Sequence, residues 1–155
     1  MRHLVLNLAG AATLAILLAT AAHASGEVFS ATNPTWKSEC SACHVAYPPR
    51  LLPAASWKAI MTGLDKHFGS DASLDPASSA EILVFLEKNA SRRKSHATAK
   101  PQLRITETAW FRNEHDEVPV RTWKDPRVKS ASNCAACHTQ AKNGEFSERN
   151  LRVPR

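Results

Sequence analysis

Two five-residue stretches constrain this 155-residue chain more than anything else in it: Cys40-Ser41-Ala42-Cys43-His44 and Cys134-Ala135-Ala136-Cys137-His138. Cysteines three apart in a helical turn project from one side, so two thiols can reach the two vinyl groups of one porphyrin. The histidine after each pair lies four residues past the first cysteine, on that same side, and can offer its imidazole to the iron. Each stretch therefore reads as a c-type haem attachment site. Cys40, Cys43 and His44 would hold one haem, and Cys134, Cys137 and His138 a second. A disulfide framework or a four-thiolate zinc centre would use the cysteines but leave both histidines without a purpose.

The chain begins with Arg2, an apolar run from Leu4 to Ala22, and Ala22-His23-Ala24 as a small-x-small cleavage signal. Asn7, Thr13 and Thr20 interrupt the run and no stop-transfer pattern follows, which favours an export peptide over residues 1–24, cleaved after Ala24. No later stretch is apolar for long enough to span a bilayer. The expected mature protein starts at Ser25, is not membrane-spanning and resides in the periplasm. The formal charge of +6 includes Arg2, and four haem propionates would offset most of the remainder. Basic composition therefore does not imply a nucleic-acid partner, and the lysines and arginines read as local docking patches for redox proteins.

Asn33-Pro34 is a helix start, with a capping side chain followed by proline at the first helical position. That helix carries Trp36 on the face of Cys40 and leads into the first motif. Tyr47-Pro48-Pro49-Arg50-Leu51-Leu52-Pro53 reads as an extended loop, because prolines exclude a helix. A helix from about Ala54 places Trp57, Ile60, Met61, Leu64 and Phe68 on one face, with Gly69 as its stop. Asp75-Pro76 opens another helix to about Asn89, with Ile82 to Leu86 as its apolar body. Ala90 to Lys100 carries Arg92, Arg93 and Lys94 and no large apolar residue, and reads as a solvated linker. The expected organisation is an N-terminal haem domain over 25–90, a linker over 91–101 and a C-terminal haem domain over 102–155. In the second half, Ile105 to Phe111 reads as strand or loop. Asp125-Pro126 reads as a third capped helix start leading into the second motif, and the tail from Asn143 as extended over the second haem. Overall the chain is expected to be mainly α, with two small haem domains.

What occupies the sixth position of each iron decides between ligand binding and electron transfer. Beyond the leader the only methionine is Met61, inside an apolar stripe and better read as core. Five histidines lie beyond the leader: His44, His67, His96, His115 and His138. His67, at the end of the apolar helix, is the candidate for the first haem. His115, after Trp110 and Phe111, is the candidate for the second. His96 lies in the basic linker and reads as solvated. Keeping each half self-contained pairs His44 with His67 and His138 with His115; spacing alone leaves crossed ligation open. Glu114, Asp116 and Glu117 around His115 would favour the ferric form there and lower the potential of the second haem.

The chain resembles the small dihaem cytochrome c family of exported electron carriers. The resemblance rests on Tyr47-Pro48-Pro49-Arg50-Leu51-Leu52-Pro53, Ser56-Trp57, His67-Phe68-Gly69 and Asp71-Ala72-Ser73-Leu74 in the first half. In the second half it rests on Arg104-Ile105-Thr106, Trp110-Phe111, His115, Trp123, Asp125-Pro126, Val128-Lys129-Ser130 and Asn133-Cys134. It implies a first domain similar to class I cytochrome c and a second, more irregular haem domain. It implies bis-histidine ligation at both irons, carried here by His44, His67, His115 and His138. It also implies electron delivery to a small oxygen-binding monohaem c-type cytochrome from a membrane b-type cytochrome.

Electron transfer without substrate turnover is the first reading, since no nucleophile or carboxylate pair stands out and no catalytic residue is assigned. A haem enzyme or gas-binding protein with one open iron, such as a peroxidase or small-ligand reductase, requires His67 or His115 to be unused. The small dihaem subunit of a periplasmic nitrate reductase is a further alternative. There the two motifs lie closer together than Cys40 and Cys134 do here.

Overall fold

The computed structural model describes residues 28–96 and 98–154, and the expected export peptide lies outside them. The described chain is helical with much irregular structure and contains no named strand; its only bridges are the isolated pairs Val28–Glu145, His67–Ser70 and His138–Leu151.

Helix α1 runs over Pro34–Cys40, opened as expected by Asn33, whose side-chain oxygen accepts from the Trp36 N–H at 2.7 Å. It ends at Cys40, so only the first residue of the first haem motif is helical; Ser41 to Cys43 form a turn. Helix α2, Ala54–Met61, and helix α3, Pro76–Asn89, pack on each other, and α3 also packs on α1. Asp75 caps α3 by accepting from the N–H groups of Ala77 and Ser78, both at 3.0 Å. The core of this half is Trp36, Leu52, Trp57, Met61, Ile82 and Leu86, with Leu52 and Ile82 fully buried. Met61 is therefore core, the role its apolar stripe favours.

Three expectations for the first half change. The proline-rich loop contains a single 3-10 turn at Pro49–Leu51; proline obstructs a long helix but tolerates its first position. The Trp57 indole N–H donates to the Pro49 carbonyl at 2.6 Å and ties this turn to α2. The loop's leucines, read from sequence as folding back over the first haem, are buried, but Leu52 fills the α1–α2–α3 core. Third, the apolar face of α2 stops at Met61: Leu64–Lys66 is a 3-10 turn, and Phe68 is 47% exposed. Phe68 and Gly69 both have positive φ, 50° and 98°, forming the tight reversal that returns Ser70 to His67.

The segment read as a solvated linker is partly ordered. It holds a 3-10 turn at Lys94–His96, and His96 is buried at 5% exposure beside the Trp110 ring, centroids 5.7 Å apart. The solvated reading of His96 fails because Trp110 supplies an apolar wall from outside the segment. Ile105 to Phe111 is neither strand nor loop. It is a 3-10 turn at Ile105–Glu107 followed by helix α4, Ala109–Glu114, whose cap Thr108 accepts from the Phe111 N–H. Helix α5, Val120–Trp123, precedes Asp125 instead of following it. Asp125 opens no helix, because its carboxylate is engaged by the Arg127 side chain at 2.7 and 2.9 Å and its chain turns back at Lys129, φ 63°. The second motif sits in a 3-10 turn, Cys134–Ala136.

Several contacts join the two halves. The Phe29 N–H donates to the Gly144 carbonyl at 2.8 Å, and the Phe29 and Phe146 rings meet edge to face at 5.5 Å. The Arg104 guanidinium lies 4.2 Å over the Phe68 ring, and Ile105 packs against the first-half core.

Candidate functional site

The four histidines beyond the leader other than His96 form two pairs. The His44 and His67 rings have centroids 6.3 Å apart and planes 27° from parallel. The His115 and His138 rings are 6.1 Å apart with planes at 76°. Two metal–imidazole bonds of about 2 Å each, plus roughly 1 Å from each ring nitrogen to its centroid, separate two axial imidazoles by about 6 Å. Both pairs have the spacing that one iron between them requires, and each is drawn from one half of the chain.

Backbone carbonyls orient two of the rings. His44 Nδ1 lies 2.7 Å from the Val45 oxygen, and His115 Nδ1 lies 2.9 Å from the Phe111 oxygen. A carbonyl only accepts, so each Nδ1 carries the proton and Nε2 keeps its lone pair for a metal. Burial holds the His67 and His138 pKa values below the ordinary histidine value, and the neighbouring His44 and His115 add to this. For His138 the Phe146 backbone partly opposes the shift. Neutral imidazole is the ligating form.

Aromatic side chains wall the second pair. Phe111 stacks on His115 with centroids 4.0 Å apart, Trp123 lies 6.0 Å from His115, and Phe146 lies 5.3 Å from His138. Phe111, Arg112, His115, Trp123 and Ala131 line a cavity of about 240 Å³. A larger cavity of about 680 Å³ opens beside His44, lined by Trp36, Val45 and Pro48 from the first half and by the 141–144 segment of the second. The tail closes on the second motif through the His138–Leu151 bridge and the Arg152 N–H donating to the Cys137 carbonyl at 2.8 Å.

No cysteine is in a disulfide. Burial pushes the Cys40 thiol up to about 11, with Glu39 adding to it, and pushes Cys134 up to about 11 against a backbone hydrogen bond. Among the described residues no group of three or more histidines, cysteines or acidic side chains gathers as a metal cluster.

Sequence reasoning passed over Tyr47. Its ring stacks on His44, centroids 4.5 Å apart and 18° from parallel, and its hydroxyl donates to the Ser132 carbonyl at 2.7 Å. Burial and the neighbouring Cys134 push the phenol up to about 12. A lone tyrosine in a proline-rich loop gives no sequence signal for a partner 85 positions away. The buried His96 was equally invisible.

A largely helical chain with two Cys-x-x-Cys-His turns, each beside a paired histidine, defines a c-type cytochrome with two haem sites. The chain belongs to the dihaem cytochrome c family, whose model matches residues 36–146. It is similar to the solved diheme cytochrome c from Rhodobacter sphaeroides, at 44% identity over 77% of this chain and 100% of that one, with a TM-score of 0.70. It is also similar to the diheme cytochrome type c from Shewanella baltica, at 42% identity over 79% of this chain and 93% of that one, again with a TM-score of 0.70. No curated protein matches it. Its cofactors are two haem c groups, and a cytochrome of this family has redox partners. No helix among the described residues is long and apolar enough to cross a membrane.

Proposed function

We propose that this chain is a periplasmic electron carrier in which two histidines close each haem iron. His44 and His67 would ligate the first haem, attached through Cys40 and Cys43. His115 and His138 would ligate the second, attached through Cys134 and Cys137. The spacing of the two histidine pairs, 6.3 and 6.1 Å between centroids, carries this reading. Each bound haem supplies an iron that cycles between ferric and ferrous.

The protein's part would be to hold each haem between two histidine side chains, His44 with His67 and His115 with His138. The Val45 and Phe111 carbonyls fix the tautomer and orientation of His44 and His115. Phe111, Trp123 and Phe146 exclude water from the second pair. Two histidines at each iron would leave no site there for a substrate, which favours electron transfer over turnover. The two halves act as haem domains over 25–90 and 102–155, joined by 91–101.

An export peptide ending at Ala24 would deliver the chain to the periplasm. There it would accept electrons from a membrane b-type cytochrome and pass them to a small oxygen-binding monohaem c-type cytochrome. The test is electron paramagnetic resonance of the oxidised holoprotein together with carbon monoxide addition after reduction. Two low-spin ferric signals and no carbon monoxide complex are expected. A high-spin signal or ready carbon monoxide binding overturns the closed-iron reading.

A further inference from the structure

We propose that Tyr47 is the positioning residue for electron exchange between the two haems, linking His44 of the first site to Cys134 of the second. The inference rests on His44 being an axial ligand, as proposed above. Tyr47 makes two contacts that point in opposite directions. Its ring lies face to face with the His44 imidazole at 4.5 Å. Its hydroxyl donates to the Ser132 carbonyl oxygen at 2.7 Å, and that oxygen lies 3.7 Å from Cys134 Sγ, two residues along the chain.

One side chain therefore spans the interval between a ring stacked on the first iron's ligand and the sulfur that anchors the second haem. Electron tunnelling weakens steeply across empty space and less across bonds and short contacts. This route contains one ring stack and one strong hydrogen bond, and from Ser132 it continues through the covalent backbone of Asn133 to Cys134. The remaining aromatic contact between the halves, Phe29 with Phe146, does not offer this. Phe29 faces the first site across the 680 Å³ cavity that also borders His44. The Arg104–Phe68 contact lies beside His67 and touches no group of the second pair.

The loop keeps Tyr47 in place. Pro48 and Pro49 follow it directly and restrict the backbone, and the Trp57–Pro49 hydrogen bond ties the same turn to α2. Face-on stacking leaves the edge of His44, where Nε2 lies, clear for the iron. The step moves one electron, oxidising one iron as it reduces the other. No bond forms or breaks, and the phenol keeps its proton.

The experiment uses half-reduced holoprotein and measures intramolecular electron exchange by magnetisation-transfer NMR on the haem methyl signals. Tyr47→Phe removes the hydroxyl and keeps the ring; exchange is expected to slow severalfold, with both low-spin ferric signals and both midpoint potentials unchanged. Tyr47→Leu removes the ring as well and is expected to slow exchange further. Exchange at the parent rate in Tyr47→Phe overturns the proposal. So does slowing accompanied by an altered ferric signal at the first site, since that marks a displaced His44. If Tyr47→Leu fails to load haem, the phenylalanine variant decides alone. Failure of the ligand assignment itself would show in the parent protein, as a missing low-spin signal before any substitution.

Discussion

The rings of His115 and His138 stand 6.1 Å apart with planes 76° from parallel, whereas those of His44 and His67 are only 27° from parallel. Phe111 helps set the difference. It stacks on His115 at 4.0 Å while its carbonyl, one turn back along the chain, accepts a hydrogen bond from the Nδ1–H. Both ring rotation and tautomer are thereby fixed from one residue.

Ring orientation governs the splitting of the iron d orbitals in a low-spin ferric haem. Near-parallel imidazoles lift the degeneracy of the two π-bonding orbitals, and near-perpendicular ones leave it small. The oxidised holoprotein should therefore give two unlike low-spin spectra, one rhombic and one strongly anisotropic with a large maximum g value. Two identical rhombic spectra would contradict the geometry of the second pair.

Removing one distal histidine should open one iron only. His67→Ala is expected to bind one carbon monoxide per reduced chain at the first haem, and His115→Ala one at the second. Optical titration measures the stoichiometry. A parent-like failure to bind in either variant would mean that another side chain ligates there.

Glu114, Asp116 and Glu117 are all exposed around His115. Their charge should favour the ferric state and give the second haem the lower potential. Exposed charges are screened over about 10 Å at 0.1 M salt, so the separation between the two potentials should narrow as salt is raised. A redox titration of His67→Ala and His115→Ala variants that places the lower potential on the first haem refutes this.

Gly144 is where the two ends of the described chain meet. It has φ 75°, and a Cβ there would lie 2.4 Å from the Phe29 carbonyl oxygen. Gly144→Ala must break the Phe29–Gly144 hydrogen bond or push the lead-in away, so a loss of about 1–3 kcal/mol is expected. Thermal unfolding of the holoprotein measures it. The accompanying loss of the Phe29–Phe146 contact should make the second haem the more sensitive of the two.

Acid should unfold the protein in two overlapping stages. His67 and His138 have folded pKa values below 6.5, so the unfolded chain binds more protons there. Their contribution is full above 6.5 and declines as the pH falls from 6.5 toward the folded values. Iron ligation acts in the same direction, because it competes with the proton for Nε2. Asp71, Asp75 and Asp125 have folded values below 3.8, Asp125 at about 2 through its Arg127 hydrogen bonds. Their contribution is present above 3.8 and is lost as the pH falls through the folded values. Resistance of the holoprotein to denaturant should therefore fall as the pH drops below 6.5 and fall more steeply below 3.8. A denaturation midpoint constant between pH 7 and pH 4 would contradict the histidine part.

The periodic and capped segments of the first half were legible from sequence. Asn33-Pro34 and Asp75-Pro76 start helices where their side chains say they should, because a cap and its amides are local. The same signature at Asp125-Pro126 misled, since the carboxylate there has a competing local partner in Arg127, and no apolar face follows to stabilise a helix. Phe68 broke the apparent stripe of α2 for a similar reason. The two-residue reversal at Phe68-Gly69 takes precedence over helical spacing.

Sequence alone determined the cofactor class, because haem attachment chemistry is written in adjacent residues, and it named eight candidate site residues because histidines were few enough to enumerate. Tertiary structure decided which histidines face each other, at what distance and at what angle. It also decided that Tyr47 reaches from His44 to Ser132, that His96 is buried, and that the lead-in crosses to Gly144. Each of these depends on where the folded backbone brings groups that are distant in sequence, and such placement follows from how the whole core packs, leaving no mark on neighbouring residues.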